Sequence, residues 1–246
     1  MFQSQQLALP LQDNDFLIRR SQRAKHLRIN ITSLGQVEVV VPGWVSPQQV
    51  QEFIRQKQSW IDQTRQQIRH QRGGELDRLM PDHIYLPAVD RSWQICYQAG
   101  HNNRLRQLTK KDGHTDQLQI SYARQGDVAG QLSQWLAGTA KHILVPWLSA
   151  VSEETGLNYN RVTVRRQKTR WGSCSSLKNI NLNRCLLFLQ PELVRYLMVH
   201  ELCHTRHMNH SHRFWALVEK YVPDYRHCEK LINNATFQIP GWALAK

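Results

Sequence analysis

The sequence predicts an α+β fold, with short strands dominating the first half of the chain and helices dominating the second. Residues 16–20, 27–31 and 37–42 alternate apolar and polar side chains, as half-buried strands do. After residue 130, apolar side chains recur every three or four positions, which is typical of helices that bury one face. With 246 residues and a hydrophobic content of 41%, the chain can build a large core and is too apolar for a disordered protein.

The composition excludes several classes of protein. No stretch reaches the roughly 18 uncharged apolar residues of a membrane-spanning helix. Residues 1–6 lack the basic and apolar regions of a secretory signal. The five cysteines are odd in number and have no repeated spacing, which indicates reduced thiols rather than a disulfide framework. We therefore expect a cytoplasmic protein without a membrane partner.

The charge balance is strongly basic. The chain has 32 basic and 19 acidic residues, which gives a net charge of +13 and favours polyanionic partners such as nucleic acid or nucleotides. Basic residues concentrate at 19–28 and at 161–170, where a strand would place several cations on one face. A solvated strand face is the more common explanation of such runs, and any association with nucleic acid through these basic strands is expected to be non-specific.

We expect two regions along the chain. Residues 1–130 are predicted to form a β-rich region with one helix at 47–72, and residues 131–246 a second region that carries the candidate metal-binding residues. Ser46 suits the N-cap of that helix and Pro47 suits its first position, and apolar residues follow at helical spacing.

The remaining elements are assigned from the same patterns. The glycine pair at 73–74 is expected to end the first helix. Pro146 is expected to kink or divide the next helix, at 130–156. The other predicted elements are strands at 93–97 and 118–122 with a polar turn at 110–113, strands at 162–164, 171–175 and 180–183 of which the last two form a hairpin, helices at 191–207 and 211–221, and a short carboxy-terminal segment.

The segment from His200 to His204 carries the strongest chemical signal. It reads His-Glu-x-x-His and follows a mostly apolar stretch that begins with Pro191, a good first helical residue. On a helix, His200 and His204 lie one turn apart on the same face and can reach one metal ion. Glu201 lies about 100° around the helix, where it can address a water molecule on the metal without binding the ion.

The spacing alone leaves several candidates for the third ligand. His207 shares the helical face, but it would lie about 10.5 Å along the axis from His200, which is too far for one zinc ion. His210 follows a turn directly after the helix and can return over the site, so we choose it. His212 and Glu219 remain alternatives. Cys203, inside the pentapeptide, is expected to be a buried thiol.

These segments resemble a known family. The resemblance is carried, in order along the chain, by Lys168-Thr169-Arg170-Trp171-Gly172-Ser173-Cys174, Ile180-Asn181-Leu182-Asn183, the pentapeptide, Asn209-His210-Ser211, Phe214-Trp215 and Pro223-Asp224-Tyr225. Together they look like the YgjP-like metal-dependent hydrolases, relatives of the SprT-like zincin peptidases.

The resemblance covers most of the chain and is most specific over 161–226. It implies a zincin-type, minimal gluzincin-like catalytic domain with an antiparallel or mixed sheet and an active-site helix. It also implies one Zn²⁺ per chain, bound by His200, His204 and His210, with Glu201 as general base.

The hairpin before the metal helix is a candidate for substrate binding. In zincins a strand beside the site pairs with an extended peptide substrate, and Gly172 would allow close approach of a backbone. Packing into the core is the alternative explanation for this hairpin. The candidate substrate-binding residues are Arg170, Trp171, Gly172 and Asn183.

Three functions are consistent with these residues. The first is a zinc-dependent metallopeptidase that acts on peptides or proteins through a Glu-activated water. The second is a metal-dependent nucleotide phosphoanhydride hydrolase, a nucleoside triphosphate pyrophosphatase, although the sequence has no glycine-rich phosphate loop. The third is a nucleic-acid-associated protein with a structural metal, although structural zinc sites normally have four protein ligands.

Overall fold

The structure is a computed structural model that describes residues 16–32, 34–76, 78–108, 115–167 and 170–244. The chain divides into two compact units, Met1–Gly74 and Glu75–Lys246. Both units contain strands and helices, and the strands come in runs that helices follow, so the predicted α+β class is confirmed. The polar turn expected at 110–113 lies outside the described residues. Among the residues described, no helix is both long and apolar enough to cross a membrane.

The first unit is a three-stranded sheet covered by one helix. Its strands are β1 (Phe16–Ser21), β2 (Arg28–Ile31) and β3 (Val37–Pro42), followed by helix α1 (Pro47–Leu76). Strand β3 lies in the centre, parallel to β1 and antiparallel to β2. Three valines of β3 are buried with apolar residues of α1 in one core, which contains Val37, Val39, Val41, Val50, Ile54 and Ile61. The three predicted strands are confirmed.

Helix α1 begins as predicted and ends later. The Ser46 hydroxyl accepts the backbone N–H of Gln49 at 3.3 Å, and the Gln49 side chain accepts the N–H of Ser46 at 2.9 Å, which forms a capping box. The prediction that the glycines at 73–74 end the helix is wrong. Neither has a positive φ, which a glycine cap requires, and the helix continues to Leu76.

The second unit begins with a four-stranded sheet and a long helix. The strands are β4 (His83–Leu86), β5 (Arg91–Ala99), β6 (Arg104–Leu108) and β7 (Thr115–Tyr122), in the order β4-β5-β7-β6. Helix α2 (Gly126–Thr155) follows and runs through Pro146, which does not divide it, and Gly156 ends it with φ 67°.

The boundary between the units lies at Gly74, whereas the sequence predicts a division near residue 130. Strands β5 and β7 bury Trp93 and Leu118 in the same core as Leu132 and Leu136 of α2. Because this sheet and this helix share one core, residues 75–130 belong to the same unit as α2.

The last part of the second unit holds the candidate site. A three-stranded mixed sheet is formed by β8 (Arg161–Arg165), β9 (Gly172–Cys174) and β10 (Asn179–Asn183), in the order β8-β10-β9. The predicted hairpin is confirmed, since β9 and β10 pair antiparallel. The helices that follow are α3 (Pro191–Cys203), α4 (His212–Tyr221), α5 (Tyr225–Ala235) and α6 (Gly241–Leu244).

Two helix predictions in this part need correction. Helix α3 ends at Cys203 rather than at residue 207, because the Thr205 side chain and backbone N–H both donate to the Leu202 carbonyl and tighten the chain into a turn. The expected short carboxy-terminal segment contains two further helices, α5 and α6. Helix α5 packs its apolar face on the core through Tyr225, Cys228 and Ala235.

Candidate metal centre

Helix α3 places the first two histidines of the site. Pro191 is its first residue, and the apolar stretch after it is buried in the core, including Leu193, Val194, Leu197, Met198 and Val199. His200 lies in the last turn, and His204 is the C-cap residue, whose backbone N–H donates to the His200 carbonyl at 3.3 Å. The two imidazoles therefore keep the one-turn spacing that the sequence predicts.

The third histidine of the cluster is His210, on the turn between α3 and α4. One ring nitrogen from each of His200, His204 and His210 lies within 4.8 Å of the other two. The Nε2 atoms of His200 and His210 are 3.1 Å apart. Among the described residues, no other His, Cys, Asp or Glu joins this cluster, so the alternatives His212 and Glu219 stand outside it.

A hydrogen bond orients the ring of His204. Its Nδ1 lies 3.0 Å from the carbonyl oxygen of His207, and because a carbonyl only accepts, Nδ1 must donate. The neutral ring then presents an unprotonated Nε2 to the other two histidines. His207 thus contributes a backbone carbonyl to the site rather than its imidazole.

Aromatic side chains of α4 hold the three rings in place. Phe214 is fully buried, and its ring stacks on His204 with centroids 4.5 Å apart and lies 4.8 Å from the ring of His210. Trp215 stacks on His210 at 5.6 Å and on Tyr225 at 5.1 Å. The exposed His210 is therefore supported by a stack that reaches into the core.

Burial favours the neutral form of the His200 and His204 imidazoles. Burial, together with the nearby rings of His204 and His210, lowers the pKa of His200 to about 3. Burial also lowers the pKa of His204, against the opposing effect of its hydrogen bond to His207. Neutral imidazole is the form that binds a metal ion, so both rings are ready to act as ligands at neutral pH.

Glu201 lies next to the cluster and is buried. Its side chain lies against Gly172 of strand β9, where an added β-carbon would come within 2.6 Å of Oε1 and 2.8 Å of Cγ. Burial raises the pKa of this carboxyl to about 8, and the positive charge of Arg170 opposes that rise. Within the described residues, Oε2 has no hydrogen-bond partner, which leaves it available for a water molecule.

The three histidines suit a zinc ion. Zinc binds imidazole nitrogen at about 2.0–2.1 Å, so two nitrogens of a tetrahedral site lie about 3.3 Å apart, close to the observed 3.1 Å between the Nε2 atoms of His200 and His210. A structural site normally has four protein ligands. Since the described residues supply only three, a zinc ion here would keep one position for water or substrate.

Strand β9 lies against the Glu201 side chain at Gly172. It lies at the edge of its sheet, and among the described strands only β10 pairs with it. The sequence predicts close approach of a backbone at Gly172, whereas the group that lies against Gly172 in the structure is the Glu201 side chain. Arg170 and Trp171 precede the strand, which begins at Gly172. Trp171 is half-buried against the core and Arg170 is exposed.

Asn183 supports this strand from inside. Its Nδ2 donates to the carbonyls of Gln167 and Arg170, both at 2.9 Å, and its Oδ1 accepts the backbone N–H of Cys185 at 3.1 Å. All these partners are backbone groups of the protein and the side chain is buried, so its hydrogen bonds hold the local backbone in place. From the sequence, Asn183 is expected either to orient a ligand or to cap the next segment.

Other candidates lie away from the metal cluster. Cys203 is buried, and burial raises the pKa of its thiol to about 12, as expected for a core residue. Arg161 and Arg165 are exposed at the two ends of β8, at the opposite edge of the sheet from β9. Lys168 lies outside the described residues.

Sequence reasoning missed the role of Phe214 and Trp215. Their helical periodicity indicates only a buried face, although their position directly after His210 was a usable signal. It also missed the contact between Gly172 and Glu201, which joins residues 29 positions apart and has no local signature.

Comparison with known proteins places the chain in a family. No curated protein matches it significantly. Among solved structures, the crystal structure of the metallopeptidase zymogen of Pyrococcus abyssi abylysin is similar, with 27% sequence identity over 37% of this chain and 91% of that chain and a TM-score of 0.34. The family described as YgjP-like, metallopeptidase domain, matches residues 25–235, a range that includes the histidine cluster and strand β9. The chain therefore belongs to the YgjP-like family and is a metal-dependent hydrolase.

Proposed function

We propose that the protein is a zinc-dependent peptidase in which Glu201 activates the attacking water. The observation that carries this proposal is the position of Glu201, which follows His200 of the three-histidine cluster on α3 and whose carboxyl lies against Gly172 of the edge strand β9. A peptide held on that strand would have its backbone beside both the carboxyl and the metal-binding rings.

The metal would be held by the imidazoles of His200, His204 and His210. Zinc bound there would polarise the scissile carbonyl and lower the pKa of a bound water toward about 7. The neutral state of His200 and the fixed tautomer of His204 support this assignment, since neither ring must lose a proton before it binds the ion.

Glu201 would move the proton. Its unpartnered Oε2 would accept a proton from the attacking water and later deliver it to the amine nitrogen that leaves. A base whose pKa lies near the working pH can both accept and release a proton, and burial brings the carboxyl into that range. Gly172 would leave room for this carboxyl, because the side chain of any larger residue would displace it.

The backbone pattern of β9 supports peptide binding. Asn183 N–H donates to the Trp171 carbonyl at 2.9 Å, and Ser175 N–H donates to the Asn179 carbonyl at 3.0 Å. Pairing alternates along an antiparallel ladder, so Gly172 and Cys174 direct their N–H and C=O groups away from β10. These groups are the ones that an added substrate strand would use.

The test compares Glu201→Gln with the zinc-loaded wild type on a peptide library, with cleavage read by mass spectrometry. We expect Glu201→Gln to bind zinc normally and to lose turnover by roughly a hundredfold to ten-thousandfold, the usual contribution of a general base. Glu219→Gln, which changes an exposed glutamate on α4, is the matched control and should remain active. Full activity of Glu201→Gln would remove Glu201 from the mechanism.

A second candidate function is hydrolysis of a nucleotide phosphoanhydride. It is favoured by the exposed guanidinium group of Arg170, which precedes β9 and forms no ion pair within the residues that the structure describes. Arginine is a strong ligand for phosphate oxygens. Assaying nucleoside triphosphates with the same variants separates the two functions. Glu201-dependent release of phosphate or pyrophosphate, without peptide cleavage, would replace the first proposal by the second.

A further inference from the structure

Arg170 precedes strand β9, and its backbone is fixed on both sides. The Asn183 side chain holds the carbonyls of Gln167 and Arg170, and the Asn183 backbone N–H holds the carbonyl of Trp171. Because these bonds fix the chain before and after Arg170, its exposed side chain extends from a defined position.

The charge of Arg170 is close to the site and is not neutralised. Arg170 lies two residues before Gly172, and Gly172 lies against the Glu201 side chain, so the guanidinium extends from the chain beside the carboxyl. Within the described part of the chain, no carboxylate forms an ion pair with Arg170. The cation is therefore available to a group that enters the site.

A small cavity opens beside this arginine. Its volume is about 80 Å³, and its walls include Arg170 and Trp171 on one side and Thr236, Ile239 and Leu244 on the other. Among the described residues, none that lines the cavity is acidic. A cavity of this size holds a few water molecules, so it admits the end of one side chain or a chain terminus and not an aromatic ring.

The direction of β9 decides which part of a peptide would reach this cavity. The strand runs from Gly172 to Cys174, and Arg170 lies before its start. A substrate strand that pairs antiparallel runs the opposite way. Its residues beside Arg170 therefore follow, along the substrate, those that lie opposite Gly172 and the Glu201 carboxyl.

We propose that Arg170 and its cavity bind the carboxylate of an acidic substrate side chain on the carboxyl side of the scissile bond. This inference rests on the proposed peptidase function, since it assigns the substrate class of the same site. A guanidinium binds a carboxylate through two parallel hydrogen bonds, and the apolar side chains of Ile239 and Leu244 line the cavity that the guanidinium borders.

The first test measures discrimination between two peptides that differ at one position. They have the same sequence with Glu or Gln on the carboxyl side of the cleavage site. We expect the zinc-loaded wild type to show a kcat/KM roughly tenfold higher for the Glu peptide, the size of one charge-assisted contact at a partly exposed site. In Arg170→Gln this ratio should fall to about one. Arg170→Lys, which keeps the charge and loses the two-pronged geometry, should fall between them.

The matched control is Lys178→Gln. Lys178 is an exposed cation in the turn at the other end of the β9–β10 hairpin, so its removal changes the net charge equally and should leave the tenfold ratio unchanged. Equal kcat/KM for both peptides in the wild type, or an unchanged ratio in Arg170→Gln, would overturn the proposal. So would hydrolysis of ATP that depends on Arg170 without any discrimination between the peptides.

A binding measurement separates this inference from the peptidase proposal. Fluorescein-labelled Glu and Gln peptides are titrated with zinc-loaded Glu201→Gln, and the dissociation constants are read from fluorescence anisotropy. Tighter binding of the Glu peptide that is lost when Arg170→Gln is added supports the carboxylate site even if the wild type cleaves neither peptide. Cleavage of both peptides with no difference in binding removes the carboxylate site and leaves the peptidase function standing.

Discussion

The two segments that form the site owe their geometry to different kinds of sequence information. The histidine segment, residues 200–210, is a helix end and a turn, and the positions of its three imidazoles follow from spacing along the chain. The hairpin segment, residues 170–183, comes into contact with the histidine segment only when the chain is folded, where Gly172 lies against Glu201. The first segment would hold the ion, whereas the second segment shapes the space around the base and the substrate.

This difference has a consequence for mutation. A substitution in the histidine segment acts on metal binding directly, because each imidazole supplies one ligand. A substitution in the hairpin segment acts on the position of a side chain that belongs to the other segment. The two classes of variant should therefore separate metal content from turnover.

The largest effect is expected for His210→Ala. His210 is exposed, so its removal should leave the fold intact while it removes one of three ligands. Zinc affinity should fall by more than about a hundredfold, since loss of an outer partner alone costs up to that much. Zinc content after dialysis against a chelator, measured by mass spectrometry, checks this result. His212→Ala, an exposed neighbour outside the cluster, is the control, and equal zinc loss in both variants would contradict the assignment of His210.

Gly172→Ala should separate metal binding from turnover. The added β-carbon would overlap the Glu201 side chain, with its nearest contact at 2.6 Å, so the carboxyl must move. A misplacement of about 1 Å at a catalytic group costs about a hundredfold in rate, while zinc content should stay at the wild-type level. Gly138→Ala in α2 is the control, because nothing lies within 4 Å of its added β-carbon. Unchanged kcat in Gly172→Ala would show that Glu201 tolerates the shift.

Asn183→Ala should destabilise the fold of the second unit. It leaves the carbonyls of Gln167 and Arg170 and the N–H of Cys185 without their partner, in a buried position. We expect a loss of about 2–3 kcal/mol in the free energy of unfolding, measured by urea denaturation. Asn103→Ala also loses two side-chain hydrogen bonds, but Asn103 is exposed and the loss should be below about 1 kcal/mol. Equal losses in the free energy of unfolding would mean that the buried hydrogen bonds of Asn183 stabilise the fold no more than the exposed ones of Asn103.

The sequence allows the histidine segment to be predicted well, and the reason is physical. The spacing of His200 and His204 matches one helical turn, and a turn after the helix returns His210 to the same place. The axial distance also excludes His207 correctly as a third ligand from the same face. What the pattern could not predict is the early end of α3, because the Thr205 hydroxyl competes for the Leu202 carbonyl and only the folded turn reveals that contact.

The hairpin segment was predictable as two strands and not as part of the site. The alternation of apolar residues predicts a strand with Ile180 and Leu182 facing the core, and such a strand can pair with β9, as the structure shows. The contact of Gly172 with Glu201 depends on how the sheet lies against α3, which no local pattern encodes. The division at Gly74 has no local signature for a related reason, since Trp93 joins the core of α2 through contacts with residues far along the chain.

The smallest effect is expected for Phe214→Leu, which tests a side chain that both packs in the core and supports a metal-binding ring. Phe214 is fully buried and stacks on His204, so it belongs both to the core and to the ligand set. Leucine fills most of the space, and the free energy of unfolding should fall by about 1 kcal/mol. Zinc affinity should fall by up to about tenfold, because the imidazole loses the ring that fixes its orientation. Phe188→Leu makes the same change at another buried ring, which contacts Trp242 and none of the imidazoles. It should cost similar stability with no change in zinc affinity, and an equal loss of zinc affinity in the two variants would show that general loosening of the core, and not the stack on His204, sets the affinity.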